Sequence, residues 1–181
     1  MKRVCLITGP PRCGKTTLIR QIAGEYSGGV CPERSRRACG FYTEEVREDG
    51  ERTGFRLVTL DGRDAMLSHV GVVSPYRVGK YGVDIEALER VGVTALLRPP
   101  TACDLVVVDE IGKMEMLSLQ FREAVIQLID GGRRMLGTVM LHHHTWSDVL
   151  KARPEVKLIM LNCENYPHVL DEVRLWLKET A

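Results

Sequence analysis

The chain has 181 residues, 44% of them hydrophobic, which suits one domain spanning residues 1–181 with a sizeable core. Its 25 Lys and Arg stand against 24 Asp and Glu, so no global positive field is available to hold a nucleic-acid backbone, and nucleic acid is not an expected partner. Six scattered cysteines without a C-x-x-C pair, no signal-like apolar segment before the first strand and no stretch near the ~20 apolar residues of a membrane span lead to the expectation of a cytoplasmic protein with reduced, mostly buried thiols.

Val4-Cys5-Leu6-Ile7 has the length and character of a buried parallel strand, and the residues from Lys15 onward read as a helix. Between them, Gly9-Pro10-Pro11-Arg12-Cys13-Gly14-Lys15-Thr16 fits the phosphate-loop pattern of Gly, four residues, Gly-Lys and Thr or Ser. Gly9 and Gly14 let the backbone approach an anion with no Cβ in the way, and the following helix adds its N-terminal dipole. In this pattern Lys15 reaches the β and γ oxygens, Thr16 ligates Mg²⁺, and the loop from Gly9 through Thr17 contacts the nucleotide. Leu18, Ile19, Ile22, Ala23 and Tyr26 give the helix one apolar face, and Ser27-Gly28-Gly29 ends it.

Residues Cys31 to Cys39 form a short basic stretch, either a solvated connection or a loop whose Arg36 or Arg37 neutralises phosphate charge. Gly40 to Arg47 and Gly54 to Leu60 read as strands, with turn signals at Asp49-Gly50 and Asp61-Gly62; they predict a β-meander attached to the sheet. Glu44 and Glu45 are either exposed strand carboxylates or ligands for Mg²⁺ or a substrate hydroxyl. The stretch Ser74 to Asp84, dense in Gly, cations and tyrosine, suits a functional loop, and its Arg77 and Lys80 are candidate transition-state cations. Asp84 is placed to cap a helix carrying Ile85, Leu88 and Val91, with Gly92 and Pro99-Pro100 as the punctuation after it.

Leu105-Val106-Val107-Val108 running into Asp109-Glu110 describes a central strand that delivers carboxylates at its C-terminal edge, where ligands of open α/β sheets bind. Asp109 is therefore the expected Walker B acid holding Mg²⁺, and Glu110, past the strand end, the residue that activates water. Lys113 contacts phosphate or pairs with Glu115, and Met114 and Met116 read as packing. Ser118 caps a helix with Phe121, Val125, Leu128 and Ile129 on its buried face, closed by Gly131-Gly132. A strand over Met135 to Leu141 leads into His142-His143-His144, read as surface or phosphate-adjacent residues rather than a metal site; Trp146 either stacks on a base or packs in the core from a helix face. The last strand, Val156 to Leu161, precedes Asn162, Glu164 and Asn165, which either read a nucleobase edge or form a turn; the closing helix starts near Pro167.

The loop Gly-Pro-Pro-x-x-Gly-Lys-Thr-Thr, the run Gly-Phe-Tyr-Thr-Glu-Glu-Val-Arg from Gly40, Val-Gly-Lys-Tyr-Gly-Val-Asp from Val78 and Val-Asp-Glu-Ile-Gly-Lys-Met-Glu from Val108 together resemble the small P-loop nucleoside-triphosphatase family. The resemblance covers nearly the whole chain. It implies an α/β fold, a P-loop NTPase three-layer sandwich with a mainly parallel RecA-like sheet and the β-meander as an insertion. It implies Mg²⁺-dependent hydrolysis of ATP, GTP and other nucleoside triphosphates with loose base selectivity, with Lys15, Thr16, Asp109 and Glu110 in the roles given above; a monomer or small homo-oligomer is the expected state. A small-molecule or nucleoside kinase and a nucleotide-switched interaction module are the alternatives. Three features depart from the family pattern: Arg12 where a small residue is usual, a longer and more basic segment from Cys31 to Cys39, and Tyr166 after Glu164-Asn165 where Arg is expected.

Overall fold

The computed structural model describes residues 2–27, 37–99 and 102–180. Its strands are β1 (Val4–Thr8), β2 (Ala38–Glu48), β3 (Glu51–Thr59), β4 (Asp64–His69), β5 (Arg77–Val78), β6 (Tyr81–Val83), β7 (Leu105–Ile111), β8 (Met135–Val139) and β9 (Val156–Met160). They form one sheet in the order β5-β6-β4-β3-β2-β7-β8-β1-β9. The five strands from β2 to β9 in that order run parallel, and the meander continues the same sheet antiparallel from β2. Strand β8 lies between β1 and β7, so the strand leading into the phosphate loop and the strand carrying Asp109 are separated by one neighbour.

Alternation along the strands divides the core in two. Val4 and Leu6 of β1, with Val106 and Val108 of β7, face α4 (Leu119–Asp130) and the helical segment of residues 85–97. Cys5, Ile7 and Val107 face α1 (Lys15–Ser27) and α6 (Tyr166–Glu179). Helices on both faces of the sheet give the three layers, and a period of two is what lets near-continuous apolar strands serve both. The predicted apolar faces of α1 and α4 are the buried ones, and α6 buries Val169, Leu170, Val173, Trp176 and Leu177. Both expected caps are present: Asp84 Oδ1 accepts from Ala87 N at 2.8 Å, and Ser118 Oγ accepts from Phe121 N at 3.0 Å.

The structure corrects several expectations. Cys39 and Cys103 form a disulfide with Cα atoms 5.7 Å apart, against the expectation of reduced thiols. They meet because β2 and β7 pair in parallel, Ala38 opposite Leu105, which a separation of 64 residues does not reveal. Cys5 and Cys13 are buried and free, and Cys163 is exposed. Strand β7 runs on to Ile111, so Glu110 belongs to the strand rather than lying past its end. The expected functional loop at 74–84 pairs with β4 as the short hairpin β5–β6. Gly92 does not break the helix after Asp84: α2 (Ile85–Ala87) passes through a π-helical stretch, Leu88–Val93, into α3 (Thr94–Leu97). A Cβ at Gly92 would lie 2.8 Å from Leu57 Cδ1, so glycine is there for close packing. Strand β4 and the short helix α5 (Thr145–Lys151) had no clear sequence signal, although Trp146 packs in the core as expected.

Gly40 is the tightest point of the β2–β7 pairing. Its φ is +104°, and a Cβ would lie 2.0 Å from Val107 O. Alanine there meets backbone strain and a clash that no side-chain movement relieves, whereas Gly50, φ +83°, has open space around it. Gly40→Ala is expected to cost about 3 kcal/mol, lowering Tm by roughly 6–12 °C in a thermal unfolding scan, and Gly50→Ala clearly less.

Candidate functional site

The loop between β1 and α1 is fixed from below. Gly9 is buried, and a Cβ there would sit 2.1 Å from Leu161 O. Cys13 turns into the core with Ile7 and Leu18, so its thiol anchors the loop. Gly14, at φ +96°, is covered by Tyr166, whose Cε2 lies 3.1 Å from the position of a Cβ. Pro10, Pro11 and Arg12 form the exposed rim, Arg12 with φ +63°. Lys15 bends back over the loop, its Nζ donating to Gly9 O at 3.0 Å and Pro10 O at 2.9 Å. Thr16 is half-buried and Thr17 exposed at the first turn of α1.

The carboxylates come from β7. Asp109 is 1% exposed, and its Oδ1 accepts from Thr138 Oγ1 of β8 at 2.5 Å. Its Oδ2 is equally buried with no hydrogen-bond partner among the described residues. Burial pushes the Asp109 carboxyl up, opposed by the hydroxyls of Thr138 and Thr16 and by the Lys15 charge. Glu110 is half-buried, and burial followed by the Asp109 charge pushes it up as well. Glu115, read from the sequence only as a partner for Lys113, lies on the short turn Glu115–Leu117. It accepts from Gly112 N at 3.2 Å rather than pairing with Lys113, and a Cβ on Gly112 would lie 3.0 Å from its Oε2 and 3.4 Å from Glu110 Cδ. The two carboxyl groups therefore flank one glycine. Burial first, then Glu110, pushes Glu115 up to about 8.

Lys15, Thr16 and Glu110 open into one cleft of about 410 Å³, with Asp109 and Glu115 buried outside its lining. Pro11, Arg12, Gly14, Lys15, Thr16 and Thr17 line one side, Glu110 the floor, and Thr43, Glu45, Arg52 and Phe55 of the β2–β3 hairpin the other side. The hairpin reaches this position because β2 pairs with β7 only from Ala38 to Phe41 and then continues, paired with β3, to Glu48. Thr43 and Glu45 share a face at spacing two, and Glu45 stands opposite Phe55 in the register. Glu44 points away and pairs with Arg20 and Arg56. Arg52 and Phe55 were not anticipated; their signal was the hairpin turn at Asp49-Gly50, which folds them back toward the same edge.

Other expected residues lie elsewhere. Arg77 and Lys80 are on the β5–β6 hairpin, where Arg77 Nη2 donates to Lys80 O at 2.9 Å, and neither lines the cleft. Lys113 is exposed on the turn after β7, also outside it. Asn165 is engaged by its own loop: Nδ2 donates to Met160 O at 2.9 Å, and Oδ1 accepts from Asn162 N at 2.8 Å. His143 pairs through Nδ1 with Asp148 at 2.5 Å. Arg37 sits at the start of β2, the sheet edge opposite the phosphate loop, with its N donating to Asp104 Oδ2 at 2.9 Å; Arg36 lies outside the described residues.

Comparison with known proteins agrees with this geometry. The model of a family described as NTPase matches residues 4–174. The nucleoside-triphosphatase THEP1 of Thermotoga maritima is 41% identical over 173 residues, 96% of this chain and 94% of that protein. The human cancer-related nucleoside-triphosphatase is 36% identical over 186 aligned positions, 96% of this chain and 95% of that one. Among solved structures, the crystal structure of THEP1 from Aquifex aeolicus superposes with a TM-score of 0.81 at 33% identity, covering 94% of this chain and 96% of that one. The solution structure of the human cancer-related nucleoside triphosphatase does so with a TM-score of 0.80 at 35% identity, covering 100% of both. With the phosphate loop, the buried Asp109 and near-complete coverage in each comparison, the chain belongs to this NTPase family.

Proposed function

We propose that this protein hydrolyses nucleoside 5'-triphosphates, ATP and GTP among them, to diphosphate and phosphate, with loose base selectivity and Mg²⁺ as cofactor. The observation that carries the reading is that Lys15, Thr16 and Glu110 line one cleft while Asp109, directly behind it, keeps a buried carboxylate oxygen without a partner. The names of the relatives support the same chemistry. Loose base selectivity is supported by Asn165, whose amide is held by its own loop rather than left to read a base edge.

The donor set fits Mg²⁺: an orphaned buried carboxylate oxygen on Asp109, with the Thr16 hydroxyl near the same carboxyl, offers the hard oxygen ligands that this ion prefers. When bound, Mg²⁺ supplies charge neutralisation at the β and γ phosphate oxygens. The loop amides and the α1 N-terminus cradle the phosphates. Lys15 exchanges its two carbonyl contacts, Gly9 O and Pro10 O, for phosphate oxygens when the nucleotide enters. Glu110, its carboxyl pushed up by burial and then by the Asp109 charge, accepts a proton from the attacking water, the task for which a base with an elevated pKa is suited. Glu115, protonated at neutral pH, adds no second negative charge beside it.

Incubation with Mg²⁺ and each of four nucleoside triphosphates, with and without a metabolite pool, tests the reading. Free phosphate and diphosphate formed without an acceptor are expected; label appearing only on a metabolite would make the protein a kinase. Lys15→Ala is expected to weaken ATP binding about 100-fold in a titration, the usual scale for losing a charge-assisted contact, and unchanged affinity would remove the loop from the account. Glu110→Gln should keep ATP affinity and lose roughly 10²–10⁴-fold in turnover. Glu115 also sets a pH dependence. Its native proton is retained up to about 8, while the unfolded chain releases it near 4.5, so its stabilising contribution is complete below 4.5 and is lost as pH rises toward 8. The Tm advantage of Glu115→Gln over wild type is therefore expected to grow from about pH 5 to pH 8, and a constant difference would contradict this.

A further inference from the structure

Arg52, the second residue of β3, lines the cleft together with Lys15, Thr16 and Glu110, and the chemistry above gives its charge no task. Three restraints fix it. Nε donates to the Tyr81 hydroxyl at 3.0 Å, Nη1 donates to Glu45 Oε1 at 2.8 Å, and the guanidinium carbon lies 5.1 Å from the Phe55 ring centre and 5.8 Å from that of Tyr81. Nη2 donates to no described residue, so both its N–H bonds remain for a ligand in the cleft.

Glu45 does not cancel this charge. Its carboxylate is shared with Arg47, whose Nη2 lies 2.7 Å from Oε2, so one anion answers two guanidinium groups. Arg52 first, then Arg47, holds the Glu45 carboxyl below its usual range, so the restraint persists at neutral pH. A guanidinium positioned in this way before substrate arrives meets the requirement for stabilising charge that develops during reaction. Arg77, Lys80 and Lys113 lie outside the cleft, and Arg12 stands exposed on the loop rim.

We propose that Arg52 is a catalytic residue of the hydrolysis proposed above, supplying in cis the positive charge that the γ-phosphoryl group requires as it leaves the β-phosphate. The inference rests on that reading of the site. In the step, the water oxygen forms a bond to the γ-phosphorus, and the bond from that phosphorus to the bridging oxygen breaks with its electron pair passing to the diphosphate. One water proton goes to Glu110. Nη2 meets the charge that spreads over the γ oxygens, an interaction stronger in the transition state than in bound ATP, and so expressed in kcat more than in affinity.

The test compares wild type, Arg52→Ala, Arg52→Gln and Arg52→Lys for ATP affinity, turnover, and binding of ADP with aluminium fluoride, a mimic of the transferring phosphoryl group. Arg52→Ala is expected to lose about 10³-fold in kcat while ATP affinity stays within about fivefold, and to lose tight capture of ADP with aluminium fluoride. Added guanidinium ion should restore part of its turnover. Arg52→Lys should recover little, because a point charge does not reproduce the planar fork. Arg52→Gln keeps bulk and a donor beside Tyr81 and is read in the same way should the alanine variant not fold; retained ATP affinity reports a folded site. Wild-type turnover and aluminium fluoride binding in these variants would overturn the proposal and leave the triphosphatase reading standing. An affinity loss as large as the loss in kcat/KM would also overturn it, marking Arg52 as a ground-state contact. A wild-type protein that releases no phosphate would instead overturn the reading beneath it.

Discussion

The hydrogen bond from Thr138 to Asp109, across β8 and β7 at the C-terminal edge of the sheet, is the constraint around which the site is arranged. An ionised carboxylate buried in a sheet costs several kcal/mol unless its oxygens are answered. Here one oxygen is answered by a neighbouring strand, and the other has no hydrogen-bond partner among the described residues. The fold keeps this arrangement because β1, β8 and β7 run in parallel and bring the charge of Lys15 to the same edge. Local rules of burial are broken here, as they are where proteins hold chemistry.

The two walls of the cleft are built differently. The phosphate-loop side is locked by Gly9 against Leu161, by Cys13 in the core and by Tyr166 over Gly14. Tyr166 occupies the place where the family resemblance led to the expectation of an arginine, and its ring covers the loop from outside. The opposite wall is a hairpin that outruns its parallel partner and carries its own charge pattern, with Glu44 tied to Arg20 of α1 on one face and Glu45 tied to Arg47 and Arg52 on the other. Arg12 and Lys15 are the cations of the loop side, and Arg52 is the cation of the hairpin side.

What was legible in the sequence was what is local. The phosphate loop is a contiguous pattern, Asp109-Glu110 ends an apolar run, and Asp84 and Ser118 cap within one helical turn. What was not legible depends on register and on distant neighbours. Strand β4, Asp-Ala-Met-Leu-Ser-His, has no β-branched residue and exists because β3 and β6 pair with it. The Cys39–Cys103 bridge requires the parallel alignment of β2 with β7. Gly92 resembles a helix stop until Leu57 is seen packed against it. Arg77 and Lys80 looked like site cations because their loop is rich in functional residue types, yet they belong to the β5–β6 hairpin at the far end of the sheet, where Lys80 lies over the Tyr81 ring. Glu115 was hidden because nothing in its spacing shows that the turn after β7 folds it in beside Glu110.

The central claim is that water attacks the γ-phosphorus in the cleft between the phosphate loop and the β2–β3 hairpin. Its most direct test is a single turnover of ATP with Mg²⁺ in ¹⁸O-labelled water, followed by mass analysis of both products. The account predicts one labelled oxygen in the released phosphate and none in ADP. Label in the diphosphate, or no released phosphate until an acceptor other than water is supplied, would contradict it.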